Sequence, residues 1–172
     1  MGSALSIRVA DKDDINAIGF LAQQIWPVAY KDILSRDQLV YMLNLFYSPD
    51  SLLKQMTDQK HIFLLLEEEE EEEPVGFASY SLLSGTNIYK LHKLYVLAGH
   101  QGQGLGKIIL DYIVEEIRSK AATSLLLNVN RNNKARHFYE KLGFSVISEE
   151  DIDIGKNYFM NDYVMEKKIN FP

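Results

Sequence analysis

The stretch Val96-Leu97-Ala98-Gly99-His100-Gln101-Gly102-Gln103-Gly104-Leu105-Gly106-Lys107 decides the fold. A strand-like run at residues 88–96 leads into it, and the apolar residues Leu105, Ile109, Ile113 and Ile117 then recur every four positions, as on one face of an amphipathic helix. Four glycines separate the predicted strand from the predicted helix. Because the first turn of a helix leaves backbone N–H groups unpaired at the positive end of its dipole, this junction favours an anion, and phosphate is its natural ligand.

Two common phosphate-binding loops do not fit this stretch. A dinucleotide loop, G-x-G-x-x-G, beginning at Gly102 needs glycine where Lys107 stands, and a Walker loop needs serine or threonine where Ile108 follows Lys107. The pattern that does fit is Q/R-x-x-G-x-G/A, which residues 101–106 fill.

A second motif, Asn132-Asn133-Lys134-Ala135-Arg136-His137-Phe138-Tyr139-Glu140-Lys141-Leu142-Gly143-Phe144, fits N-x-x-A-x-x-x-Y-x-x-x-G-F. Together, and in this order, the two motifs resemble those of the GNAT superfamily of N-acetyltransferases. The resemblance is sharp over residues 88–144 and looser toward the first and last predicted strands. It implies an acyltransferase that uses acetyl-CoA, whereas the alternative for the glycines alone is a plain tight turn.

The rest of the chain predicts a single α/β (α+β) domain over residues 1–172. Strands are expected at residues 6–9, 61–66, 75–83, 88–96, 124–129, 144–148 and 158–166. The helix between the fourth and fifth of these strands makes a strand-helix-strand unit, whose strands should pair in parallel. We therefore expect a mixed, mostly antiparallel, GNAT-like central sheet of about six to seven strands with helices on both faces.

The N-terminal third predicts three helices. Asp13 or Asp14 can cap the first, and Trp26-Pro27 interrupts its apolar periodicity. Ser35 starts the second helix, and Ser48-Pro49-Asp50 opens the third.

The resemblance implies acetyl-CoA as the donor and coenzyme A as the product. The extended, amide-rich pantetheine arm would pair like a strand with the backbone of Leu94, Tyr95 and Val96, which would also orient the thioester carbonyl. Asn132 would contact the cofactor arm through its side chain. The pyrophosphate would be held by backbone N–H groups of Gln101, Gly102, Gln103, Gly104, Leu105, Gly106 and Lys107.

Two residues are candidates for proton transfer. Tyr139 occupies the family's position for a general acid, where a phenol can protonate the leaving thiolate, although its helical spacing with Ala135 and Leu142 also suits core packing. His92, two residues before Leu94, can accept the proton of the attacking amine, and a packed histidine is the equal alternative. For His100, in the loop, a surface or phosphate-proximal role is expected.

The acceptor site would be formed by the least family-like part of the chain. Trp26 and Tyr30, together with Tyr41, can wall a substrate pocket with aromatic faces suited to an amine, and core packing is the alternative for each. The sequence leaves open whether the acceptor is a polyamine, an amino acid, an amino sugar, an antibiotic or a protein amine.

Composition narrows the class of protein. The 172 residues carry a net charge of −6, and the glutamate run at residues 67–73 accounts for the whole acidic excess. This run is expected to form the solvated tip of a hairpin, with a cation-binding patch as the alternative. The absence of cysteine excludes thiolate metal sites, the four histidines are scattered, and no metal is expected. We also expect no nucleic-acid partner, no membrane segment and a cytoplasmic monomer or homodimer.

Three functions remain open. The first is an N-acetyltransferase acting on a small primary amine. The second is an acetyltransferase for protein or peptide amines. The third is a coenzyme A-binding sensor or interaction module that has kept the fold and lost turnover.

Overall fold

The computed structural model describes residues 4–170. Over this range seven strands and five helices follow each other along the chain, and two short 3-10 turns, Lys12–Asp14 and Ala98–His100, precede α1 and α4. In order the elements are β1 (Leu5–Val9), α1 (Ile15–Ala29), α2 (Arg36–Tyr47), α3 (Pro49–Met56), β2 (Ile62–Glu68), β3 (Gly76–Leu82), β4 (Ile88–Val96), α4 (Leu105–Arg118), β5 (Ser124–Asn130), α5 (Ala135–Lys141), β6 (Ser145–Gly155) and β7 (Tyr158–Lys168).

The strands form one sheet in the order β1-β2-β3-β4-β5-β7-β6. Strands β4 and β5 pair in parallel, with Ile88 opposite Ser124 and Leu91 opposite Leu127. The pairs β1–β2, β2–β3, β5–β7 and β6–β7 are antiparallel. The predicted mixed α/β sheet and its one parallel strand-helix-strand unit are therefore confirmed.

The helix starts agree with the sequence in two cases of three. Ser35 and Ser48 each accept a hydrogen bond from the backbone N–H three residues ahead and so cap α2 and α3, as predicted. For α1, Asp14 occupies the N-cap position, as predicted, but its side chain makes no capping hydrogen bond to α1. Asp11 instead caps the 3-10 turn before α1, and the Asp14 carboxylate accepts a hydrogen bond from the Asp11 N–H, which completes a capping box. Helix α1 begins directly after this turn.

Helix α1 also extends further than its periodicity indicates. It continues through Pro27 to Ala29, and the Tyr30 N–H still donates to the Trp26 carbonyl. Proline removes one backbone donor. Because Pro27 lies near the C-terminus of the helix, the remaining backbone hydrogen bonds are enough to hold the last turn.

Strands β6 and β7 form a longer hairpin than the sequence suggests. Between them, Gly155, Lys156 and Asn157 all have positive φ, the conformation of a tight hairpin connection. The residues by which β6 exceeds the predicted strand 144–148 are largely acidic, and acidic runs are typical of loops rather than of strands. Arg131 pairs with Glu149 and Asp151 there and offsets part of this charge.

Packing divides the chain into two compact units. The first contains the chain up to Ser81 together with Lys93–Tyr112, and its core includes Ile18, Leu52, Phe63 and Leu65. The second contains Leu82–His92 and the chain from Ile113 onward. Buried residues of this second unit include Ile113, Ile117, Leu125, Leu127 and Met165. The single domain over residues 1–172 stays a prediction, and its first three and last two residues lie outside the described ones. Within residues 4–170, none of the helices has the length and apolar character needed to cross a membrane.

Candidate active site

The glycine-rich loop joins β4 to α4 at the predicted anion site. Gly102 and Gly104 have φ of +82° and +74°, the left-handed region that favours glycine. A Cβ added to either would meet no atom within 4 Å, so the outer side of the loop is open. The amides at the start of α4 have no partners within the helix. The loop can therefore present backbone N–H groups to a ligand that approaches closely.

Three contacts fix the base of this loop. The Gln101 side chain donates from Nε2 to the Val96 carbonyl at 3.2 Å, and the Leu97 N–H donates to the Val75 carbonyl at 2.9 Å. The His100 Nδ1 lies 3.2 Å from Glu68 Oε1. His100 thus lies in the loop with its ring held from β2, and its surface or phosphate-proximal role stays a prediction.

The glutamate run differs in part from its prediction as a solvated hairpin tip. Glu67 and Glu68 belong to β2, where Glu67 accepts from Arg8 Nε at 2.8 Å. The Glu68 side chain is only 10% exposed because it packs against His100. Residues 69–73 are exposed, and of these Glu71 comes within 4.0 Å of His100 Nε2. The interpretation as a tip therefore holds for residues 69–73 and was wrong for the first two glutamates.

The end of β4 carries the predicted pantetheine-pairing residues, Leu94, Tyr95 and Val96, all partly exposed. Gly76 of β3 lies directly against this segment, since an added Cβ there would come within 2.9 Å of the Tyr95 carbonyl oxygen. Side chains alternate along a strand, so Lys93 and Tyr95 share one face of β4 while Leu94 and Val96 share the other.

An aromatic cluster brings together both predicted acceptor residues. The Trp26 ring lies 4.6 Å from the Tyr30 ring and 5.9 Å from the Tyr95 ring, measured between centroids. The Tyr30 and Tyr95 hydroxyls are 2.8 Å apart and share a hydrogen bond. Trp26 is 5% exposed and fills the core, whereas Tyr30 stands at the partly exposed rim. Tyr41 is half-buried in α2.

Tyr47 extends this cluster inward from α2. Its ring packs edge-on against Trp26 at 5.4 Å and against Phe77 at 5.9 Å. Burial, followed by the proximity of Tyr30, raises the pKa of the Tyr47 hydroxyl well above its usual value. The hydroxyl and the Trp26 Nε1 are both buried and face each other too loosely for a well-formed hydrogen bond.

Lys93 is a half-buried residue that the sequence interpretation missed. Its Nζ donates to Gln55 Oε1 at 2.6 Å, and Gln55 Nε2 donates in turn to the Phe46 carbonyl at 2.8 Å, near the end of α2. Burial lowers the pKa of Lys93 to about 8. A signal was present in the sequence, since strand alternation places Lys93 on the same face as Tyr89, Leu91 and Tyr95.

The remaining predicted residues belong to the second unit. Tyr139 is buried in α5, with ring centroids of Phe138 and Phe144 at 5.2 and 5.6 Å, so its predicted packing role is met. Asn132 lies in the turn before α5, where its N–H donates to Asn130 Oδ1 at 2.9 Å. The motif position of Asn132 suggests the start of the second helix, but α5 begins only at Ala135, so Asn132 lies in the turn before it.

His92 is half-buried on β4, in the part of this strand that belongs to the second unit. The same unit contains a polar group that the sequence did not indicate. Asn128 Nδ2 donates to Asp162 Oδ2 at 3.3 Å and to Glu150 Oε2 at 3.1 Å. Burial raises the pKa of Asp162, although the Asn128 hydrogen bond opposes this effect.

Comparison with known proteins identifies the family and the fold. Residues 15–144 match the model of the acetyltransferase (GNAT) family. The fold resembles the crystal structure of the PaiA N-acetyltransferase from Thermoplasma acidophilum in complex with coenzyme A, with a TM-score of 0.80, 25% sequence identity and coverage of 96% of this chain and 99% of that one.

Two relatives match over shorter segments. The chain is 36% identical over 69 residues to a ribosomal protein bS18-alanine N-acetyltransferase of Haemophilus influenzae, covering 40% of this chain and 44% of that protein. It is 35% identical over 88 residues to the peptidyl-lysine N-acetyltransferase YjaB of Salmonella typhimurium, covering 50% of this chain and 53% of that protein. The chain thus spans about half the length of these two curated relatives.

Proposed function

The chain belongs to the acetyltransferase (GNAT) family, as its two motifs predict, and from this membership we propose that it moves an acetyl group from acetyl-CoA to the primary amine of a small molecule. The observation that carries the proposal is the open glycine loop between β4 and α4, with Gly102 and Gly104 in the left-handed conformation. A turn of this kind leaves backbone N–H groups available to a pyrophosphate. The enzyme class and the coenzyme are those of the family.

The cofactor residues follow from the chemistry of coenzyme A. The pyrophosphate binds to the backbone N–H groups of residues 101–107, where the Lys107 side chain adds positive charge near the helix start. The pantetheine amides pair with the backbone of Leu94 and Val96. Asn132, in its exposed turn, contacts the cofactor arm.

The reaction is a direct transfer. The neutral amine attacks the thioester carbonyl, a carbon–nitrogen bond forms, and the carbon–sulfur bond breaks as the thiolate leaves. The Tyr139 phenol donates its proton to that sulfur, and His92 accepts the proton that the amine nitrogen loses. The products are the N-acetyl amine and coenzyme A. Backbone N–H groups at the end of β4 polarise the carbonyl.

A second candidate acceptor is the amine of a protein or peptide. It is favoured by the two shorter matches, because one relative is named for the alanine of ribosomal protein bS18 and the other for peptidyl-lysine. The small-molecule proposal instead rests on Tyr30 and Tyr95. Their hydroxyls form a hydrogen bond at the rim of the aromatic cluster, and this bond limits the width of the proposed acceptor pocket. A coenzyme A sensor without turnover is the remaining alternative.

Thiol release from acetyl-CoA separates these candidates. The panel contains small primary amines, a peptide beginning with alanine and an acetyl-capped lysine peptide, with an amine-free reaction as the control. We expect release with a small amine at a kcat/KM at least about tenfold above either peptide. A preference for a peptide would replace the small-molecule acceptor. Coenzyme A binding without turnover across the panel would support the sensor.

A further inference from the structure

Lys93 carries a partly buried charge that the proposed reaction does not use. Its ammonium group bonds to the neutral amide of Gln55 and lies 5.4 and 5.5 Å from the ring centroids of Tyr47 and Phe63. Buried charges in proteins are usually paired. Over residues 4–170, no carboxylate forms an ion pair with Lys93, and burial alone accounts for its lowered pKa. Within the described residues, the Gln55 oxygen and the two ring faces stabilise this positive charge, and no carboxylate neutralises it.

The polar atoms near this charge are mostly hydrogen-bond donors. The ammonium of Lys93 and the indole N–H of Trp26 can only donate, and the Tyr47 hydroxyl can also donate. The Trp26 and Tyr47 groups are buried and make no well-formed hydrogen bond, although the Trp26 N–H lies near the Tyr47 hydroxyl. A cluster with spare donors and a positive charge attracts oxygen atoms with lone pairs and repels a cation.

This charge lies behind the wall that we propose for the acceptor. Lys93 and Tyr95 are two residues apart on one face of β4, about 7 Å along a strand. Tyr47 links Lys93 to Trp26, because its ring contacts both the Lys93 ammonium and the Trp26 ring. The exposed Lys31 and Asp32, which follow Tyr30, carry opposite charges that solvent screens. Lys93 is thus the partly buried charged group that lies nearest to this wall among the residues that contact it.

We propose that Lys93 determines which acceptors are used, by favouring amines whose far end is a carboxylate or a neutral oxygen group and by disfavouring amines with a second cationic group. The proposal rests on the proposed function, in which Trp26 and Tyr30 wall the acceptor. For a charge about 10 Å away at an effective dielectric of about 20, the attraction of a carboxylate and the repulsion of a second ammonium group each change the affinity by about tenfold. Simple amino acids fit this preference, whereas polyamines do not.

Three acceptors of equal length test the proposal: aminohexanoate, aminohexanol and diaminohexane. For the wild-type protein we expect kcat/KM to fall in that order, with about tenfold at each of the two steps. Lys93→Met, which has similar length without the charge, should bring the three values within about threefold. Lys93→Arg keeps the charge and should keep the order. Lys54→Met, which removes an exposed lysine of α3, is the matched control and should leave the order unchanged.

Two further measurements keep the test decisive. If Lys93→Met does not fold, the double variant Lys93→Met with Gln55→Leu removes both partners, so that neither group is left buried and unpaired. Calorimetric binding of the same three amines to the protein loaded with coenzyme A reads the charge preference without turnover. A loss of turnover with all three amines would therefore count against the proposed function, while binding would still report on Lys93. A wild-type preference for diaminohexane, or an unchanged preference in Lys93→Met, would overturn the proposal.

Discussion

The glycine loop and the aromatic cluster are two parts of the first unit, and they depend on the sequence in different ways. The loop works through backbone atoms, and only residues that permit its left-handed turns, such as Gly102 and Gly104, can form it. The cluster works through side chains from α1, α2, β3 and β4, which meet only in the folded chain. A site built from the backbone thus leaves a compact motif, whereas a site built from distant side chains leaves none.

The largest expected effect lies in the loop. Gly104→Asp places a carboxylate where the pyrophosphate is proposed to lie, so coenzyme A affinity should fall by at least about 100-fold through steric exclusion and charge repulsion. Gly85→Asp is the matched control, because Gly85 has the same φ of +74° and equally open surroundings in another turn. Calorimetry on the two folded variants checks this. Equal affinities would remove the loop from the binding site.

The second effect concerns a side chain rather than the backbone. Tyr139→Phe removes one hydroxyl and keeps the ring between Phe138 and Phe144, so kcat should fall by about 10–1000-fold with little change in coenzyme A affinity. Tyr112→Phe, in a half-buried tyrosine of α4, is the control. A variant with normal kcat and a lowered Tm would assign Tyr139 to packing alone.

The third effect is a pH dependence in the cluster. The pKa of Lys93 is about 8 in the folded protein and 10.5 ordinarily, so between these values the unfolded chain binds more protons and stability rises with pH. The full shift corresponds to at most about 3 kcal/mol. Urea unfolding of wild type and Lys93→Met at pH 8 and pH 10 measures the difference. Below pH 10 the raised pKa of Tyr47, which acts in the opposite direction, does not interfere. A pH-independent difference would contradict a buried Lys93.

The smallest effect is expected at the acidic hairpin. Replacing the exposed residues 69–73 with a short Asn-Gly turn should leave kcat/KM for the preferred amine within about threefold, because solvent and salt screen these charges. Glu68→Gln, by contrast, loosens His100 beside the cofactor loop and should raise the KM for acetyl-CoA. A large defect of the turn variant that shrinks at high salt would show that the tip steers cationic amines.

Most of the fold was visible in the sequence because local rules determined it. Strand β4 was placed correctly to the residue, and Ser35 and Ser48 were correct caps. The errors arose where tertiary contacts override local preference. Helix α1 continues through Pro27, and β6 includes acidic residues that Arg131 partly neutralises.

In the candidate site, too, local sequence signals predicted some residues, and tertiary contacts determined the others. The loop was predicted from its glycines together with the second motif, and Trp26 with Tyr30 from aromatic character, although only the fold shows that Tyr95 joins them. Lys93 was missed because a lysine in a strand is ordinarily assigned to solvent. Glu68 was assigned to the hairpin tip because a run of seven glutamates gives no sign that one of them packs against His100. Burial of a charged group depends on its partners, and these are distant in the sequence.

The most direct test of the central claim, that backbone N–H groups of the glycine loop bind the coenzyme, is amide hydrogen exchange with and without coenzyme A. Amides that bind a pyrophosphate become protected from exchange, whereas those of an open loop exchange freely. The account predicts that saturating coenzyme A slows exchange across residues 101–107 and across the adjacent end of β4, with no change at the exposed residues 69–73. Binding of coenzyme A that leaves exchange at residues 101–107 unchanged would contradict it.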